Sequence, residues 1–126
     1  MLLNDNKISI QGIEGSFHHT VALKYFNKEI NINCCDSFDE LVESIINTNK
    51  IKGVMAIENS IAGSILPNYA LIDQNNLNIT GEYYHQIKHS LLALPKFPFK
   101  LSTSAGLKNF LSIEIIVLLV SLLTSL

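Results

Sequence analysis

Glu58, Asn59, Ser60, Gly63 and Ser64 crowd together directly after the apolar run Val54–Ile57. A carboxylate, an amide, two hydroxyls and a glycine at the end of a buried run can do one of two things. They can cap a helix, or they can hold a small polar ligand. Partial desolvation of Glu58 at such a place suits acid–base work. The hydroxyls and amide, with the free N–H groups of a helix N-terminus, favour a carboxylate or a phosphate. A second polar turn, Gly12 to Phe17 ("GIEGSF"), follows another apolar run and adds the Ser16 hydroxyl. The plainer reading makes Asn59 and Ser60 caps, Gly63 a turn residue and Glu58 a first-turn glutamate that stabilises a helix. The residues alone leave both open. His18, His19, His85 and His89 are scattered. His18 and His19 point different ways on any helix, so no metal site is expected. There is no Ser–His–Asp order, no phosphate loop and no dinucleotide glycine signature.

The elements that must carry these residues follow from periodicity. Lys7 to Gln11 ("KISIQ") alternates and reads as a strand. "TVALKYFNK" reads as a helix that Ser16 or Thr20 can start, and "EININCC" as a second strand. "DSFDELVESIINTNK" is the clearest helix. Asp36 or Ser37 caps it, and Phe38, Leu41, Val42, Ile45 and Ile46 form its stripe. "IKGVMAI" is a third strand. "GSILPNYALIDQNN" predicts a helical turn or short helix interrupted by Pro67, and "LNITGEYYHQIKHSLLALP" two strand-like runs around Gly81. This order predicts an α/β layer with helices packed on a mostly parallel sheet. Ligands sit at the carboxyl ends of strands in such sheets. Both polar turns follow a strand and precede a helix, so they should lie side by side at one edge.

The chain has 126 residues, is 48% hydrophobic and carries a formal net charge of -2. That allows one modest core and leaves no basic footprint for nucleic acid. The adjacent Cys34 and Cys35 make a poor cross-link and read as buried small residues in a reducing, cytoplasmic setting. "MLLNDNKISI" is too short and polar for a signal peptide. After Pro95 the character changes. "KFPFKLSTSAGLKNF" shows no clear element, and "LSIEIIVLLVSLLTSL" is almost wholly apolar. That run is short for a membrane span, which needs about 20 residues, so a membrane partner is not expected. It also lacks an amphipathic stripe and has nothing left to pack on. The division expected is 1–95 for a lobe with its crossover strand and 96–126 for an aberrant apolar tail.

Several of these segments together resemble the prephenate dehydratase family. The family opens with a strand and a Gly-Pro-Glu-Gly-Thr-Phe-Ser turn; here the turn is Gly12 to Phe17, with Ile13 for the proline and Ser16 for the threonine. Its second block, Glu-Asn-Ser followed by Gly-Ser, stands intact as Glu58, Asn59, Ser60, Gly63 and Ser64. "CDSFDELVESI" and "HQIKHSLLAL" are similar to the helix before that block and to the segment leading into the second lobe. The resemblance runs over positions 7 to 95. It implies a two-lobed α/β fold similar to type II periplasmic binding proteins, with the active site in the cleft and the second lobe incomplete here. It also implies the cofactor-free decarboxylating dehydration of prephenate to phenylpyruvate, in phenylalanine biosynthesis. By resemblance, Ser16, Phe17, Ser60, Gly63 and Ser64 bind substrate, and Glu58 and Asn59 are catalytic, organising the cleft. The intact family implies a homodimer or homotetramer.

The departures are the family's His-Pro-Gln and Thr-Arg-Phe blocks and its phenylalanine-sensing domain, none of which stands here. "TSAGL", Thr103 to Leu107, can be back-translated and read one base later as His-Pro-Gln-Ala-Leu, so the tail reads as a frame-shift product. The expectation is therefore a dehydratase lobe of little or no activity. The alternatives are a non-catalytic small-anion-binding lobe and a membrane-anchored domain using the apolar tail.

Overall fold

The computed structural model describes residues 6–27, 29–48, 50–88 and 112–122, the last stretch by its backbone and the side chain of Val117. The expected boundary at Pro95, the stretch Thr103–Leu107 and His89 lie outside the described residues.

The chain alternates strands and helices. β1 is Lys7–Gln11, α1 Phe17–Phe26, β2 Asn31–Cys35, α2 Phe38–Asn47 and β3 Lys52–Asn59. β4 (Gly63–Ser64), α3 (Leu66–Gln74), β5 (Leu77–Lys88) and β6 (Ser112–Leu122) follow. The sheet order is β2-β1-β3-β6-β5, with β4 paired to β3 off that path. β1 is parallel to β2 and β3, while β6 runs antiparallel to both β3 and β5. β1, β2, β3 and β5 therefore point the same way. This is the expected α/β lobe with a mostly parallel sheet, crossed by one reversed strand.

Helices cover both faces. On one, Leu41, Val42 and Ile45 of α2 and Ile72 of α3 pack on Met55 and Ile57. On the other, Val21 and Ala22 of α1 pack on Ile8, Ile10 and Val54. β3 has cover on both faces, which is why it reads as an unbroken apolar run. Ser37 caps α2, accepting from the Glu40 N–H at 3.1 Å, and the Glu40 carboxylate returns to the Asp36 N–H at 2.8 Å. Such a cap contributes about 1 kcal/mol. Each buried aliphatic side chain of α2 contributes about 2 kcal/mol, so packing holds this helix more than capping does. The core also contains a satisfied polar chain. Ser44 Oγ donates to the Leu41 carbonyl at 2.7 Å, so Ser9 Oγ is left to donate to Ser44 (2.7 Å) while accepting from Asn33 Nδ2 at 3.0 Å.

Four sequence expectations change. Pro67 does not interrupt α3; it stands in the first turn, where no backbone N–H is needed. The two runs around Gly81 are one strand, and the break is a register irregularity between Ile79 and Gly81. Of the cysteines only Cys35 is buried. β2 alternates at the sheet edge and leaves Cys34 exposed. Burial, with the Glu40 carboxylate nearby, pushes the Cys35 thiol up in pKa and keeps it protonated.

The fourth change is the largest. The apolar run expected to have nothing to pack on is β6, hydrogen-bonded between β3 and β5, with Val117 buried. A strand inside a sheet with covered faces is apolar at consecutive positions and shows neither alternation nor a helical stripe.

Candidate functional site

Gly12 and Asn59 leave adjacent parallel strands. β1 and β3 are paired through Ile8–Lys52, Ser9–Gly53 and Ile10–Val54, so their carboxyl ends open on one edge of the sheet. The first turn and the Glu58–Ser64 segment both leave from that edge.

The first turn is held by backbone. Gly12 N–H donates to the Cys35 carbonyl at 2.8 Å, at φ +103°, a value that favours glycine. Ser16 then caps α1. Its Oγ accepts from the His19 N–H at 3.3 Å, and its carbonyl accepts from Thr20 N–H at 3.0 Å. A hydroxyl that accepts in a cap can still donate its own hydrogen to an anion. Phe17 stands at the start of α1, 45% exposed.

The second segment differs from its expected form. β3 does not pass straight into a helix. It turns back through Ser60, Ile61 and Ala62 into β4, pairing Glu58 with Ser64 and Asn59 with Gly63. Gly63, at φ +77°, permits the reversal. Asn59 Oδ1 accepts from the N–H groups of Ile61 at 2.9 Å and Ala62 at 3.2 Å. Asn59 is thus the cap of a turn rather than of a helix. Glu58 is half-buried on β3, so it is not a first-turn glutamate, and α3 begins only at Leu66, beyond the hairpin. Ser60, Gly63 and Ser64 are exposed at the tip and on the return strand.

Sequence reasoning missed three neighbours. His18, half-buried on α1, accepts through Nε2 from the Ala56 N–H at 3.3 Å and lies edge-on to Phe38, with ring centres 5.5 Å apart. His85 on β5 is buried and aligns with Asn59 through Ile115 of β6. Its ring centre lies 6.3 Å from Phe17 and 6.4 Å from Tyr83, and burial, with Lys24, lowers its pKa. Asn68, 2% exposed, donates through Nδ2 to the Ala56 carbonyl at 2.6 Å. Alternation with Tyr83 along β5 could have flagged His85. No local signal marks Asn68, because an amide in a helix looks the same whether it faces solvent or the sheet.

The hydrogen bond to His18 fixes its state. Nε2 can accept only in the neutral ring, with the proton on Nδ1. Burial agrees, pushing the pKa from 6.5 down to about 4. Between those values the unfolded chain binds a proton that the folded chain refuses, so stability falls as pH drops through that window. The full loss is about 3 kcal/mol by linkage, reached below the folded value. His85 acts in the same direction. Urea midpoints at pH 7 and pH 4.5 should differ markedly, and His18→Gln should flatten much of the difference. An unchanged slope in that variant would contradict the assignment.

The two turns, Gly12 to Phe17 and Glu58 to Ser64, contain no Lys or Arg and two carboxylates, Glu14 and Glu58. An anion there would depend on N–H and O–H donors, each worth about 1 kcal/mol net. Some four such bonds give roughly millimolar affinity. An open groove of about 490 Å³, lined by Tyr69, Ile72, Asp73, Asn76, Leu77 and Asn78, lies elsewhere, at the end of α3 and the start of β5. β5 points the same way as β1 and β3, so that groove is on the opposite edge from the turns.

This architecture is a lobe of the type II periplasmic-binding-protein-like class, with a reversed strand beside β3 and two polar turns at its carboxyl edge. Comparison with known proteins makes it more particular. The chain belongs to the prephenate dehydratase family: the family model described as "Prephenate dehydratase" matches residues 8–107, which reaches past Pro95 and stops short of β6. It is 35% identical over 101 residues to a bifunctional chorismate mutase/prephenate dehydratase of Buchnera aphidicola, 74% of this chain and 26% of that one. It is 37% identical over 93 residues to the chloroplastic arogenate dehydratase/prephenate dehydratase 1 of Arabidopsis thaliana, covering 71% of this chain and 22% of the relative. A solved prephenate dehydratase from Streptococcus mutans superposes with TM-score 0.63 at 18% identity, over 95% of this chain and 51% of that one. A structure titled as a quorum quenching acylase superposes equally well at 17% identity, so these two likenesses speak for the fold alone. The chain thus spans about a quarter of the length of those curated relatives and about half of the solved structures.

Proposed function

We propose that this chain is the first lobe of a prephenate dehydratase and that its carboxyl edge holds the doubly charged substrate, with little or no turnover by the chain alone. One observation carries this reading: Ser16 and Asn59 leave neighbouring parallel strands on the same edge, close enough for α1 to reach β3 through His18. The donors are the Ser16, Ser60 and Ser64 hydroxyls and the Asn59 Nδ2 group. Phe17 supplies an apolar wall beside them, Gly63 lets the hairpin close, and Glu58 stands at the end of β3 where an acid could assist departure of the ring hydroxyl. A dehydration of this kind requires substrate held, hydroxyl expelled as water and carboxylate released. The described residues offer means for the first and a candidate acid for the second.

Low activity of the chain alone belongs to this reading. On this reading a frame-shifted tail still begins after Pro95, with residues 112–122 serving the lobe as β6, and the family's His-Pro-Gln and Thr-Arg-Phe blocks do not stand in these 126 residues. The cytoplasmic assignment belongs to the same reading and is supported by the exposed, free Cys34 thiol. So does self-association, supported by the exposed apolar Ile13, Ile61 and Leu66 around the edge. The anchored alternative loses its support, since β6 has a strand on each side and no helix among the described residues is long and apolar enough to cross a membrane.

Equilibrium dialysis against prephenate, with phenylpyruvate formation followed in parallel, tests the proposal. Saturable, roughly millimolar binding without family-like turnover is expected. Absence of binding would overturn the substrate assignment, and rapid turnover would overturn the claim of low activity.

A further inference from the structure

β3 is paired along one side by β6 over its whole length, from Lys52 to Asn59. Its other side is divided. β1 covers it only as far as Val54, and β4 takes over at Glu58. Between them the backbone of Ala56 faces neither strand, and the register against β6 slips at that point, between Ala56 and Glu58. The gap is filled by two side chains from different helices. His18 on α1 accepts the Ala56 N–H at 3.3 Å, and Asn68 on α3 donates to the Ala56 carbonyl at 2.6 Å. Of the Asn68 side chain only the N–H₂ can meet a carbonyl, and of the His18 ring only an unprotonated nitrogen can meet an N–H, so each bond fixes which atom its side chain presents. One residue further on, the Ile57 carbonyl accepts the Ile65 N–H at 2.7 Å and starts the hairpin.

We propose that His18 and Asn68 are positioning residues that clamp the Ala56 peptide groups and thereby fix where β3 bends into the Glu58–Ser64 hairpin. Neither is among the donors assigned to the ligand edge. They act through the strand: with both ends of Ala56 held, the irregularity at Ile57 has one geometry, and Glu58 and Asn59 leave β3 at one angle. Without the clamp, β3 has no partner on that side between Val54 and Ile57 among the described residues, and the hairpin pivots about the irregularity. The part of this inference that concerns substrate rests on the proposed function; the part that concerns the hairpin does not.

The test compares hydrogen exchange of the Ile61, Ala62 and Ile65 amides with that of the Ile10 amide in β1, alongside prephenate dialysis. In Asn68→Asp and His18→Phe the three hairpin amides should exchange at least tenfold faster while Ile10 keeps its protection, and prephenate binding should weaken at least tenfold. His18→Gln, which retains an acceptor, should restore both. A merely structural role would speed Ile10 and the hairpin together through global opening, and that result would overturn the proposal, as would hairpin amides unchanged in both variants. If Asn68→Asp fails to fold, the contrast between His18→Phe and His18→Gln decides. If the parent chain binds no prephenate, the functional reading fails while the exchange pattern still decides the clamp.

Discussion

Val117→Asp is expected to leave no cooperatively folded chain. Val117 is 2% exposed at the centre of β6, paired with Ala56 of β3 on one side and Tyr83 of β5 on the other. A lone carboxylate there finds no cationic partner among the buried residues of its cluster, which are Ile8, Ile10, Val21, Ala22, Val54 and Ala56. The cost of an unpaired buried charge is several kcal/mol, against a total stability of about 5–15 kcal/mol for a domain of this kind. Losing β6 would also bare two strand edges, those of β3 and β5, and open edges invite aggregation. Val117→Ala, by contrast, removes two methyl groups and should cost about 1–3 kcal/mol, leaving a folded chain with a lower melting temperature. Circular dichroism melts of the two variants make the comparison. A Val117→Asp protein that melts within a few degrees of its parent would show that β6 is not a central strand.

Asn59 gives the second large effect, and there the fold and the ligand can be separated. Its Oδ1 holds the Ile61 and Ala62 N–H groups, while its Nδ2 is the donor assigned to substrate. Asn59→Ala removes both. The turn N–H groups lie where water can replace the amide oxygen, so the stability cost should be about 1 kcal/mol, whereas binding should weaken at least tenfold. Asn59→Asp keeps an acceptor for the turn but loses the donor and sets a second carboxylate beside Glu58. The hairpin should then remain as protected as in the parent, while affinity for a dianion falls further than with alanine. Amide exchange at Ile61 and Ala62, measured with prephenate dialysis on the same samples, reads both quantities. Parent-like binding in Asn59→Asp would remove Nδ2 from the site.

The fold was legible where one physical signal dominated. α2 carries a cap, an acidic first turn and a single apolar stripe, so its position could be read from Ser37 to Ile45. β1 to β3 were legible from alternation and apolar runs, and their order fixed the shared edge. Legibility failed where a local pattern has two structural solutions. The Asn59–Gly63 stretch has turn chemistry that suits a helix start as well as a hairpin, and only pairing with β3 chooses between them. The run Ile113–Leu122 is apolar at nearly every position, which a covered strand, a buried helix and a short span would all share. Its place between β3 and β5 depends on contacts far away in sequence. His18 and Asn68 were invisible as partners for the same reason, since what joins them is a gap beside Ala56 that exists only once β1, β3 and β4 are assembled. The order of β1 and β3 was enough to put the turns carrying Ser16 and Asn59 at the carboxyl edge of adjacent parallel strands, while the form of the second turn was not legible.

The central claim is that the two turns at the carboxyl edge jointly receive a small dianion. Amide chemical shifts of the isotope-labelled chain, followed during titration with prephenate, test it most directly. Saturable shifts concentrated in Gly12–Phe17 and Glu58–Ser64 are expected, both sets following one dissociation constant. Shifts confined to the groove around Tyr69, Asp73 and Asn78 on the opposite edge, or two sets that saturate independently, would contradict it.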